Sequence, residues 1–143
     1  MTTRLLTIAL LAALTVACGD NKASATSPTS TTTTSATTVI YTGTIDVGGS
    51  RFYSFTNVAA GTVTAFLASV TSPDTKLPVD VPLQIGIGTP AGTDCVTTMT
   101  QIVSPALVPQ MSASLAAGVF CLRVADAGEL RAPVSFAVRF SHP

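Results

Sequence analysis

The spacing of hydrophobic positions changes character twice along this chain. Residues 5–17, LLTIALLAALTVA, form an apolar run in which Thr7 and Thr15 are the only polar side chains. Residues 19–38, GDNKASATSPTSTTTTSATT, contain no Val, Leu, Ile or aromatic side chain. From Val39 onward, short β-branched and aromatic runs alternate with polar residues. The alternation is cleanest in VSFAVRF at 134–140, where Val134, Phe136, Val138 and Phe140 share one side and Ser135, Ala137 and Arg139 the other. A period of two predicts a strand with one buried face. VFCLRV at 119–124 repeats it, with Phe120, Leu122 and Val124 inward and Arg123 outward. PLQIGIG at 82–88 groups Leu83, Ile85 and Ile87, RFYSF at 51–55 groups Tyr53 and Phe55, and GTVTAFL from Gly61 groups Val63, Ala65 and Leu67. Weaker alternation predicts strands at 39–46, 95–103 and 110–115.

Turn-forming clusters separate these runs: VGGS at 47–50, NVAAG at 57–61, TSPDTKLP at 71–78, TPAGTD at 89–94 and LAAG at 115–118. Breaks about every ten residues, with no sustained helical stripe after residue 38, predict an all-β sandwich or barrel of about eight strands. Eight strands in about 105 residues suit two packed sheets.

The two earlier segments follow different physics. An apolar run of about a dozen residues behind Arg4 falls short of the roughly 20 needed to span a bilayer as a helix. It has the size and flanks of a signal-peptide core. The Thr/Ser-rich segment cannot bury enough surface to offset its chain entropy, so it reads as a disordered tether. As a flexible coil its twenty residues reach roughly 25 Å. The expected organisation is a leader at 1–17, Cys18 and the tether at 18–38, and the sandwich at 39–143.

Composition narrows the function. The formal net charge is zero and only 10% of the 143 residues are charged, so the chain has no electrostatic footprint for nucleic acid. There is no Trp, and His142 is the single histidine. A Ser-His-Asp arrangement needs a histidine held by a carboxylate and reaching a hydroxyl; His142, next to the C-terminus, reads as a strand-end residue, and no enzyme activity is expected. Cys95 and Cys121 both fall in the sandwich of an exported chain, where an oxidising compartment favours a disulfide between them. Closing that loop contributes roughly 3–4 kcal/mol in the chain-entropy model. Without a nearby histidine or third cysteine, the pair is a poor metal site.

Three further groups carry candidate chemistry. Asp74, Asp80, Asp94 and Asp126 lie in loops, and loop carboxylates at one end of a sandwich can supply the oxygens that calcium requires; they lack EF-hand spacing, and solvated turn residues are the alternative. No other cofactor is implied. Phe52 falls off the buried face beside Arg51, which marks either a contact patch or packing under a loop. Gly86 and Gly88, interleaved with Ile85 and Ile87, imply close backbone approach.

Two resemblances extend this reading. Thr15, Val16, Ala17 and Cys18 resemble the lipobox of bacterial lipoproteins, with Thr15 where the pattern usually has Leu. The resemblance implies cleavage before Cys18, a diacylglyceryl group on its thiol and, often, a further acyl chain such as palmitate on the new amine. Gly19 occupies the place where some Gram-negative lipoproteins carry an Asp that retains them in the inner membrane. The protein is then expected in the bacterial cell envelope, held to a lipid bilayer, with plain secretion as the alternative. GTIDVGGSRFYSF at 43–55, AAGTVTAFL at 59–67 and LAAGVFCLRVAD at 115–126 resemble the bacterial pre-peptidase C-terminal domain. That resemblance implies a β-sandwich of jelly-roll type without catalytic activity. The expected function is a membrane-anchored binding module for a partner or polymer such as a polysaccharide. The alternative is an assembly accessory that recognises only another envelope or secreted protein.

Overall fold

Alternation becomes geometry in eight strands, all antiparallel to their neighbours. The computed structural model describes residues 35–143; the leader, Cys18 and the tether through residue 34 lie outside the described residues. The strands are β1 (Thr37–Ile45), β2 (Ser50–Asn57), β3 (Gly61–Thr71), β4 (Leu83–Ala91), β5 (Asp94–Val103), β6 (Met111–Leu115), β7 (Gly118–Asp126) and β8 (Val134–His142). All eight predicted strands are present. β1 starts at Thr37, two residues ahead of the expected boundary, because Thr37 and Thr38 pair with His142 and Ser141. The hydroxyls of Thr38 and Ser141 meet at 2.7 Å.

One sheet has the order β1-β8-β3-β6 and the other β2-β7-β4-β5. Each strand of the first half of the chain pairs with its mirror in the second: β1 with β8, β2 with β7, β3 with β6 and β4 with β5. A long antiparallel ribbon wrapped once around itself gives this pairing, which is the jelly roll. The fold is an all-β sandwich of that type.

The inward sets are those the period of two picked out. Val63, Ala65 and Leu67 of β3, Leu83, Ile85 and Ile87 of β4, Leu122 and Val124 of β7, and Val134, Phe136, Val138 and Phe140 of β8 form one buried cluster. Each fully buried Val, Leu, Ile or Phe contributes about 1.5–3 kcal/mol of transfer free energy, so this seam holds the sheets together. Beyond Leu67 the simple alternation fails. A bulge between Leu67 and Ser69 inserts Ala68, so that Val70 rather than Ser69 turns inward against β8. Two predicted turns are also shorter than expected. β4 runs on through Ala91, leaving only Gly92 and Thr93 before β5, and β2 runs through Asn57, which is buried.

Candidate functional site

The sandwich is open along the side where β1 and β2 form the free edges of their sheets. An edge strand presents unpaired carbonyls, and β2 reaches across to satisfy two of β1's. Arg51 Nε donates to Thr44 O at 2.6 Å and the Tyr53 hydroxyl donates to Thr42 O at 2.7 Å. Gly43 stands between those carbonyls, and the reason it is glycine is spatial. A Cβ there would come within 2.7 Å of Tyr53 Oη and 3.1 Å of Arg51 Cδ. Burial pushes the phenol pKa values of Tyr41 and Tyr53 up. The two rings stack with centroids 4.6 Å apart. Arg51, expected as a contact residue, therefore also closes the edge of β1.

A second wall comes from the β4–β5 hairpin. Strands two apart in a flat sheet stand about 9.5 Å from one another. The Cα atoms of Cys95 on β5 and Cys121 on β7, with β4 between them, are 6.0 Å apart and joined by a disulfide. The sheet must fold over β4 to allow this, and Gly88 is where it does. A Cβ on Gly88 would collide with the Val96 carbonyl and come within 2.6 Å of Thr97 Cα. A bulge in β5 at the same level leaves Thr98 without a strand partner, its hydroxyl donating to Ile87 O at 3.3 Å. Pairing of β4 with β7 ends at Gly88, so the hairpin tip beyond it pairs only with itself. Pro90, which has no N–H to offer a third strand, is tolerated for that reason.

The folded hairpin brings Thr93 and Asp94 beside Ser50, Arg51, Phe52 and Tyr53, with Thr42, Gly43 and Thr44 on the third side. Together they line a groove of about 490 Å³. Of the residues singled out from the sequence, Arg51, Phe52 and Asp94 meet here. The groove offers a half-buried aromatic ring, one cation, one carboxylate and several hydroxyls. Ser50 also accepts from Arg123 Nη2 at 3.2 Å, which ties the rim to β7. Tyr53, Thr42, Thr44, Ser50 and Thr93 were not legible as site residues. The signal that would have pointed to them is Gly43 between two threonines on an edge strand.

The remaining acids sit elsewhere. Asp74 and Asp80 are exposed on the β3–β4 loop. Asp126 ends β7, and both of its carboxylate oxygens accept from backbone amides. Its Oδ2 accepts from Gly48 N at 2.7 Å, and its Oδ1 accepts from the amides of Gly128, Glu129 and Leu130 at 2.8–3.2 Å. It staples the β1–β2 turn to the β7–β8 loop. Among the described residues no group of three or more His, Cys, Asp or Glu side chains lies where it could hold a metal ion. His142 packs against Phe55 and Phe140, with centroids 5.4 and 5.6 Å away, and its Nδ1 lies 3.0 Å from Pro143 O.

The Gly48 N–H, with the three loop amides, holds the Asp126 carboxyl below the usual carboxylate range. A pKa depressed by folding stabilises the protein above the unfolded value and loses that contribution as pH falls through the folded value. In Asp126→Asn, Oδ1 still accepts from the β7–β8 loop, but Nδ2 cannot accept from Gly48. We expect urea melts to show Asp126→Asn less stable than the wild type at pH 7, with the gap shrinking from about pH 4 downward. A gap unchanged between pH 7 and pH 3 would count against this linkage.

A different surface lies on β5, the free edge of its sheet. Val96, Met99 and Ile102 are 57%, 41% and 58% exposed, and Val96–Val103 carries no charged residue. No helix among the described residues is long and apolar enough to cross a membrane. No protein-family model matches the chain, and no curated protein matches it.

Proposed function

We propose that the protein is a lipid-anchored, non-catalytic module of the bacterial cell envelope that binds a polysaccharide along the groove beside Phe52. The observation that carries this reading is the composition of the groove's walls. A sugar ring presents an apolar C–H face and a rim of hydroxyls. Phe52 supplies a surface for the face, and Arg51, Asp94, Ser50, Thr42 and Thr93 supply donors and acceptors for the rim. The exposed positions of Thr42, Ser50, Arg51, Thr93 and Asp94 leave room for a chain to continue past the groove. The lipobox resemblance at Cys18 supports the anchor, and the resemblance to the pre-peptidase C-terminal domain supports a role without catalysis.

The alternative, recognition of another envelope protein alone, is favoured by one observation: the uncharged, partly apolar free edge of β5. Retention of the full-length protein on a panel of immobilised neutral polysaccharides separates the two. The groove reading expects retention, weakened about tenfold by Phe52→Ala, the equivalent of roughly 1.4 kcal/mol. Absence of retention on every polysaccharide, together with one stoichiometric protein crosslinked through β5, would assign the alternative.

A further inference from the structure

Cys95 and Cys121 are 3% and 0% exposed, yet neither belongs to the hydrophobic cluster between the sheets. Along β7, Phe120, Leu122 and Val124 turn inward, so Cys121 points to the outer side of its sheet. Its cross-strand neighbours there are Ser54 and Gly88. What buries it is the hairpin folded over that side. The disulfide therefore does not join the two sheets; it fastens the hairpin to the back of its own sheet. Little else holds the tip. Thr89–Asp94 are exposed, and beyond Gly88 the hairpin has no third strand.

We infer that the Cys95–Cys121 bridge is the positioning element of the groove: it holds Thr93 and Asp94 beside Phe52, and its reduction opens the groove while the sandwich stays folded. The core that joins the sheets contains no atom of either cysteine, so cleaving the bridge removes no contact from it. Reduction by an added phosphine cleaves the S–S bond with two electrons from phosphorus, which leaves as the phosphine oxide with an oxygen from water, and the two protons of that water complete the two thiols. Gly88 serves the same geometry from below, as the bare seat on which the Val96–Thr97 backbone rests. The consequence for ligand binding rests on the polysaccharide reading above; the consequence for the hairpin does not.

The test compares the full-length protein when oxidised, when reduced by a phosphine, and as the double variant Cys95→Ser/Cys121→Ser, using amide hydrogen exchange. We expect residues 88–97 to exchange at least about tenfold faster without the bridge, while β3 and β8 keep their protection. Unchanged exchange at 88–97, or loss of protection across the whole domain at once, would overturn the inference. Binding to immobilised neutral polysaccharide is measured on the same three samples. Retention by the oxidised form alone supports both readings. If no form is retained but 88–97 still opens, the polysaccharide reading fails and the positioning role stands.

Discussion

Replacing Cys18 by alanine is expected to move the protein from the membrane fraction to the soluble fraction almost completely. The apolar run at 5–17 is too short to serve as a membrane span, so on this reading the acyl chains are the whole anchor. Each buried methylene contributes about 0.8 kcal/mol, so one chain binds reversibly and two or more hold firmly. Removing the thiol that receives the diacylglyceryl group removes the first two chains and blocks the steps that follow. Detergent-phase partitioning and labelled-palmitate incorporation report the change. Equal partitioning of wild type and Cys18→Ala would refute the anchor.

The largest effect on the fold is expected at Gly88. Overpacking a core position typically costs 1–3 kcal/mol when side chains can rotate away. At Gly88 the obstructing atoms are the Val96 carbonyl and Thr97 Cα, which are backbone within a hydrogen-bonded strand tied down by the bridge. Gly88→Ala should cost about 3 kcal/mol or more, or roughly 10–20 °C in Tm. Gly61 provides the control. A Cβ there comes within 2.6 Å of Pro143 Cγ, a milder overlap than the collision with the Val96 carbonyl, and the obstacle is the tip of a proline ring past the end of β8 rather than strand backbone. Thermal melts in which Gly61→Ala and Gly88→Ala lose equal stability would show that the hairpin is free to lift.

The contrast between these two glycines also marks what could be read from the sequence. The interleaving of Gly86 and Gly88 with Ile85 and Ile87 indicates close backbone approach, and the structure places the Val96–Thr97 backbone against Gly88. Which strand approaches is a tertiary fact that no local pattern carries. The same division holds elsewhere. Period two predicted the inward faces of β4, β7 and β8, because the large apolar side chains of each strand face the other sheet from one side and the signal is local. It missed the bulge at Ala68, since an inserted residue reverses the alternation without changing composition. The pairing of Cys95 with Cys121 followed from there being two cysteines in the predicted sandwich. Their position on the outer side of the sheet did not, because it depends on the hairpin folding back. Phe52 was recognisable as lying off the buried face, with Arg51 as its neighbour in the chain. Their meeting with Asp94, about forty positions along the chain, comes only from the jelly-roll wrap and the fold at Gly88. Asp126 read as a loop carboxylate suited to calcium, whereas its oxygens accept from four backbone amides. Such capping leaves no mark in sequence beyond an Asp two residues before a Gly.

The groove is the centre of the account, and it is tested most directly by mapping backbone amide shifts while the oxidised full-length protein is titrated with soluble fragments of neutral envelope polysaccharides. Saturable shifts confined to Thr42–Thr44, Ser50–Tyr53 and Thr93–Asp94 are expected, with the same titration nearly silent in Phe52→Ala. Saturable shifts along Val96–Ile102 with the groove unmoved, or no shift with any fragment, would contradict it.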